Sequence, residues 1–178
     1  GICGGIKDVV IGDVVVGTKA YGYEAGKETP NGFVARPEAY HYDKELIEYI
    51  KILQYSFDWK KRSVDSQNAK VIYGPIASGN KVIASKESPI FKQLKLHYND
   101  TTAIEMEAAG FAEAAFKYKN VRILNIRGVS DLLDKKKESD EGGSQKRAVR
   151  NAAAFVFELL YQIDFEEFKL MIMTPREV

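Results

Sequence analysis

Val14-Val15-Val16 constrains this fold more than any other stretch. The run is β-branched throughout and passes into Gly17-Thr18 without polar alternation. A strand of that composition is buried on both faces, so layers must cover it above and below. Upstream, Gly12-Asp13 separates it from Val9-Val10-Ile11 in the manner of a tight turn. Further strands are expected over 71–77, 103–106 and 121–126. Helices should start at Asp43, at Ser88-Pro89 and at Ser144, each with a capping side chain. Ala108, Phe111, Ala112, Ala115 and Phe116 repeat at helical spacing, as do Val149, Ala152, Ala153, Val156, Leu160 and Ile163. Strands that alternate with helices predict an α/β fold, a three-layer sandwich whose central mixed sheet is flanked by helices. Residues 21–42 carry glycine, proline and tyrosine without periodicity and read as a long loop of the functional kind.

Composition narrows the function classes. Of 178 residues 45% are hydrophobic and 29% charged, which excludes collagen, low-complexity disorder and a disulfide scaffold. With 26 basic and 25 acidic side chains, nothing favours nucleic acid or an anionic membrane as a partner. Trp59-Lys60-Lys61-Arg62 reads as a solvated surface run. No apolar run reaches the ~18–20 residues that span a bilayer. One cysteine, Cys3, cannot form an internal bridge, so a reducing, cytoplasmic setting is expected. His41 and His97 fit no metal spacing, and no metal or cofactor is expected.

In open α/β sheets chemistry sits at the carboxyl ends of strands. Three places there carry suitable residues. Glu105-Met106-Glu107 puts two carboxylates between an apolar strand and an alanine-rich helix. In a strand both acids face one way, where a vicinal diol could donate to them. Alternatively, one of them caps the helix. Ser130-Asp131 places a carboxyl near a ligand, unless it is a turn residue or pairs with Arg127. Ser78-Gly79-Asn80 offers backbone groups to a ligand, or is an ordinary turn. Gly4-Gly5 would let backbone approach a ligand.

Taken in order, the segments Gly1-Ile2-Cys3-Gly4-Gly5, Ile11 to Val16, Ile76 to Asn80, Ala103 to Ala109 and Ile126 to Asp131 resemble the purine nucleoside phosphorylase and nucleosidase superfamily. The resemblance extends to about Ile163 and is strongest to methylthioadenosine/S-adenosylhomocysteine nucleosidases. It implies cleavage of the N-glycosidic bond of a purine nucleoside through an oxocarbenium-like transition state. Glu107 would hold the ribose hydroxyls and Met106 would pack on the sugar, with Glu105 and Gly4 beside them. Asp131, oriented by Ser130, would act as the acid toward purine N7. Ser78, Gly79, Val82 and Ile83 would line the base pocket. Homo-oligomers are usual in the family.

Two departures qualify that match. Val82 stands where family nucleosidases often stack a Phe, so Tyr21 or Tyr23 is a candidate to cover the base instead. Ile2 stands where phosphorylases carry a phosphate-binding Ser, and an Ile cannot hydrogen-bond phosphate. Hydrolysis is therefore favoured over a phosphate-dependent phosphorylase, and a non-catalytic purine-sensing module of a larger protein is the third reading. The glycine segment normally lies well inside the domain. Residues 1–178 are thus expected to be the C-terminal two-thirds of one domain, inactive alone. Oligomer contacts are expected from 21–42 and from the apolar tail around Leu170-Met171-Ile172-Met173.

Overall fold

A computed structural model describes residues 1–118, 121–133, 142–166 and 168. The apolar tail segment 170–173 lies outside them. The described elements run β1 (Ile2–Gly5), β2 (Val14–Gly22), β3 (Gly26–Thr29), β4 (Gly32–Ala35), β5 (Glu38–His41), α1 (Lys44–Leu53) and a 3-10 turn (Trp59–Arg62). They continue with β6 (Val71–Ser78), α2 (Pro89–His97), β7 (Ala103–Glu105), α3 (Ala108–Phe116), β8 (Ile126–Asp131) and α4 (Ser144–Gln162).

The sheet is mixed, in the order β5-β2-β6-β7-β1-β8, and it curls until β8 also pairs with β2. One edge of β2 carries β6 throughout. The other carries β8 along Val14–Val16 and then β5 along Lys19–Gly22. Five strands thus close a ring. Each sends a small or β-branched residue inward, and Cys3, Val15, Ile76, Ala103 and Val129 meet in one cluster. Val14 and Val16 point the other way, into a cluster with Ile50, Trp59, Phe155 and Leu159. This is the two-sided burial that the valine run demands. Burying a side chain such as Phe155 fully contributes about 1.5–3 kcal/mol. A third cluster, with Phe91 and Leu94 of α2, closes one end of the ring against Ile83 and Ile104.

Helix starts follow the capping signals in two of three cases. Asp43 Oδ1 accepts from Leu46 N at 2.8 Å, and Ser88 Oγ accepts from Phe91 N at 3.1 Å. At α4 the cap is Gly143 in the left-handed region (φ 77°), and Ser144 is the first helical residue.

Four other local expectations are corrected. Residues 21–42 are not a loop: β2 runs on to Gly22, and β3, β4 and β5 follow. Pro30-Asn31 links β3 to β4, with Thr29 opposite Gly32, which takes φ 108°. Residues 121–125 are not a strand, because ladder partners lie only beside Ile126–Asp131. Trp59 is core rather than surface, packing edge-on to Phe155 with ring centroids 5.7 Å apart. The buried stripe of α4 is Ala148, Asn151, Ala152, Phe155 and Leu159, whereas Val149 and Leu160 are half-exposed. Asn151 is the reason. Its Nδ2 donates to Gly12 O at 2.7 Å and its Oδ1 accepts from Ser63 Oγ at 3.1 Å, so a polar residue sits at the centre of the packed face.

Candidate active site

A cleft of about 160 Å³ opens where β1, β7 and β8 meet. Its walls come from Ile2, Cys3 and Gly4 of β1, from Lys81, Val82 and Ile83 after β6, from Ile104 through Glu107, and from Ser130 and Leu133. Strand register assembles it. Gly4 pairs with Ile104 on one side and with Asp131 on the other, so the three lie in one row across β7, β1 and β8. Cys3 pairs with Val129, leaving Ser130 as the extra residue of a β-bulge. Bulges beside sites re-aim a side chain, and Ser130 is turned to the cleft wall. A side chain at Gly4 would crowd both neighbours. A Cβ would stand 2.5 Å from Leu133 Cδ2 and 3.2 Å from Asp131 Oδ1.

Asp131 lies fully buried behind Ser130. Its Oδ1 accepts from Leu133 N at 3.0 Å. Ser130 Oγ is 2.9 Å from Asp131 Oδ2 and 3.2 Å from Cys3 O, so its single proton can go to either oxygen.

Glu105 and Glu107 divide the work that their spacing left open. Glu105 is buried and takes two amides at the start of α3, Glu107 N at 3.0 Å and Ala108 N at 2.8 Å. It is the helix-terminal acid, which favours negative charge at that end. Burial pushes its carboxyl above the ordinary range. The Ala108 amide and Arg127 pull it back, and the adjacent Glu107 carboxyl pushes it up again. Glu107 is two-thirds exposed and stands at the cleft. Met106, 44% exposed, lines the cleft between them.

Arg127 is a member of this constellation that the sequence pattern did not select. Its Nη2 is 2.7 Å from Glu105 Oε2 and its Nη1 is 3.1 Å from Glu107 Oε2. The alternative that paired it with Asp131 gives way to these two ion pairs. A signal was available: an arginine at the second position of a buried strand must find anions or carry an unpaired charge.

The loop after β6 is fixed by Ile83, whose side chain packs into the α2 cluster and leaves Lys81 and Val82 at the cleft. Val82 is 59% exposed. Neither tyrosine takes the place of the missing aromatic. Tyr21 donates to the Asp100 carboxylate at about 3 Å and packs on Tyr98. Tyr23 is buried against Gly79. Ser78 and Gly79 border a neighbouring depression that shares only Met106 and Glu107 with the cleft. Its turn is clamped by Glu24, which accepts from Asn80 N at 3.0 Å and Nδ2 at 2.8 Å. Among the described residues no group of three or more His, Cys, Asp or Glu is placed to hold a metal, and no helix is long and apolar enough to cross a membrane.

A small mixed-sheet ring with its acids gathered at β7 and β8 defines a class, and comparison with known proteins agrees. The phosphorylase superfamily model matches residues 1–161. The chain belongs to that superfamily. Among individual relatives, it is 27% identical over 170 residues to 5'-methylthioadenosine/S-adenosylhomocysteine nucleosidase of Haemophilus influenzae (strain PittEE), covering 90% of this chain and 66% of that protein. The chain thus spans just under two-thirds of that relative's length. The crystal structure of the Neisseria meningitidis nucleosidase of the same name, in complex with methylthio-immucillin-A, matches with TM-score 0.71 and 28% identity over 92% of this chain and 68% of the other. Helicobacter pylori futalosine hydrolase shares the fold at TM-score 0.70 and 21% identity, covering 92% of this chain and 66% of that one.

Proposed function

We propose that this chain forms the main part of a purine nucleosidase that hydrolyses the N-glycosidic bond of a 5'-methylthioadenosine- or S-adenosylhomocysteine-type nucleoside. The observation that carries the reading is the convergence of Met106, Glu107, Gly4 and Ser130 on one cleft, with Asp131 directly behind Ser130. The roles follow from the chemistry. The ribose hydroxyls donate to the Glu107 carboxylate, whose negative charge also favours the cationic sugar of the transition state. Met106 packs on the sugar. Asp131 delivers a proton to purine N7, and the electron pair of the C1'–N9 bond leaves with the base. Water then adds to C1' and releases a proton to solvent, from which Asp131 is protonated again. Ser130 turns its hydroxyl to suit Asp131. The backbone around Ile83 reads the purine edge, with Val82 as an aliphatic wall and Ser78-Gly79 beyond it.

Ile2 favours water over phosphate, since its side chain offers no donor in the glycine segment. On this reading residues 1–178 are the C-terminal two-thirds of a single domain, a share close to the 66% of the Haemophilus protein that they match. A homo-oligomer and a cytoplasmic setting belong to the same proposal. Phe111 and Phe116, exposed on α3, support a contact face, and the buried free thiol of Cys3 suits a reducing compartment.

The test is base release from 5'-methylthioadenosine by the full-length protein, with and without inorganic phosphate. Adenine and a reducing pentose without phosphate are expected. Strict phosphate dependence with a pentose 1-phosphate product assigns a phosphorylase instead. The exposed Val82, in place of a stacking ring, favours a second reading, a purine-sensing module. Calorimetric binding with no base released would establish that one.

A further inference from the structure

We propose that Arg127 is the positioning residue for Glu107, braced by Asn125, and that it sets how strongly the site prefers a ribose over a deoxyribose. The inference rests on the nucleosidase reading. Every arm of the guanidinium is committed. Nε donates to Asn125 Oδ1 at 2.8 Å, Nη2 meets Glu105 Oε2 at 2.7 Å, and Nη1 meets Glu107 Oε2 at 3.1 Å. The side chain is 17% exposed, so these bonds are little screened by water.

The brace continues inward. Asn125 is buried and its Nδ2 donates to Tyr42 Oη at 3.3 Å, while its carbonyl accepts from Gly17 N at 2.8 Å. Tyr42 is held in the ring's inner cluster. From the other side, Glu105 is locked by the two amides of α3. The guanidinium is therefore fixed at two points by buried groups, and its third arm reaches the one exposed carboxylate in the group. An exposed glutamate otherwise samples many rotamers. A planar fork fixed at two corners holds the carboxylate at the third in one place, which a lysine cannot do. Arg127 is not among the residues that line the cleft, and through its bond to Glu107 it presents that carboxylate to the sugar hydroxyls.

The experiment compares base release from 5'-methylthioadenosine and from its 2'-deoxy counterpart, as the ratio of kcat/KM values. In Arg127→Met the ratio should fall at least tenfold, because the ribose substrate loses its 2'-hydroxyl bond to Glu107 and the deoxy substrate has no such bond to lose. Equal losses on both substrates would mean a purely structural role and overturn the proposal. Met leaves the Glu105 charge buried without its cation, so Arg127→Met/Glu105→Gln removes that charge; Gln accepts from only one of the two α3 amides, so the ratio is read on protein whose unfolding midpoint shows it folded. The ratio should stay collapsed there, and its recovery counts against positioning. Arg127→Lys, which keeps the charge without the fork, should fall between; a wild-type ratio in that variant also overturns the proposal. Asn125→Val should show the same pattern at about threefold. A wild-type protein that releases no base from either nucleoside sinks the nucleosidase reading as a whole, whereas a wild-type ratio near one sinks this inference alone.

Discussion

Two buried aspartates lie beside the end of β8, and they are held in different ways. Asp13 is 2% exposed and Asp131 fully buried. Asp13 spends both oxygens on main-chain amides, accepting from Val10 N at 2.9 Å and from Lys70 N at 2.8 Å. Those bonds tie the Gly12-Asp13 turn to the start of β6, and Asp13 O accepts from Val129 N at 2.8 Å. Asp131 gives one oxygen to an amide and the other to the Ser130 hydroxyl, which has Cys3 O as a second acceptor. Amide donors cannot turn away, but a hydroxyl can. A carboxyl that must change protonation state during a reaction needs such an adjustable neighbour, while a carboxyl that only ties loops does not. Burial alone therefore does not separate the two aspartates; their partners do, and the proposed acid role of Asp131 predicts that they respond differently to substitution.

Replacing each aspartate by asparagine gives the widest separation. Asp131→Asn keeps the size and hydrogen-bonding shape but removes the acid. Base release should fall by ~10²–10⁴-fold, the usual worth of a general acid, with the urea midpoint little changed. Retained turnover would break the comparison at its catalytic side. Asp13→Asn turns an amide donor toward a backbone N–H that needs an acceptor. Loss of about 2 kcal/mol in denaturant unfolding is expected, with kcat of the remaining folded protein unchanged. A drop in kcat without a drop in stability would show that the turn communicates with the site.

The same contrast explains what could be read from the residues alone. Val14-Val15-Val16 and the Asp43 and Ser88 caps act through local rules, and they agree with the central sheet and with two of the helix starts. What escaped depends on tertiary partners. The spacing of Glu105 and Glu107 cannot tell which one turns back onto the helix amides. Asn151 is polar, and only the facing Gly12 carbonyl and Ser63 hydroxyl reveal that it is core. The exposure of Phe111 and Phe116 contradicts their apolar stripe, since only Ala108 and Ala112 of α3 are buried. Arg127 was hidden for a related reason. Its partners come from another strand and from the start of a helix, a juxtaposition created by sheet register.

A smaller effect is expected at the base wall. Val82→Phe restores a ring at an exposed cleft position. Stacking of a base on an aromatic side chain is worth ~1–3 kcal/mol, and part of that is lost because the new side chain must be ordered. Purine affinity measured by calorimetry should rise several-fold, with no change in the Asp13 or Asp131 phenotypes. Unchanged affinity would place the base away from Val82 and require another wall for the pocket.

Cys3, paired with Val129 of β8, extends the comparison to a third buried ionisable group, and here the expected effect is smallest. Its thiol packs in the ring and donates weakly to Gly128 O at 3.6 Å. Burial pushes it up to about 12, against a modest opposing pull from Arg127. Asp13 and Asp131 are hydrogen-bonded acids, whereas Cys3 meets burial by staying protonated. The sign follows from linkage. The folded pKa is raised above the unfolded one, so the contribution is intact below the ordinary thiol range and is lost as pH climbs toward the folded value. At pH 8.5 the unfolded thiol is half ionised, which costs only about 0.4 kcal/mol. A thiol-reactive chromogen should therefore leave the native protein unmodified at pH 8 and label it only at the rate of unfolding. Rapid labelling of the folded state would mean that the ring opens at β1, the strand that supplies Gly4 to the site.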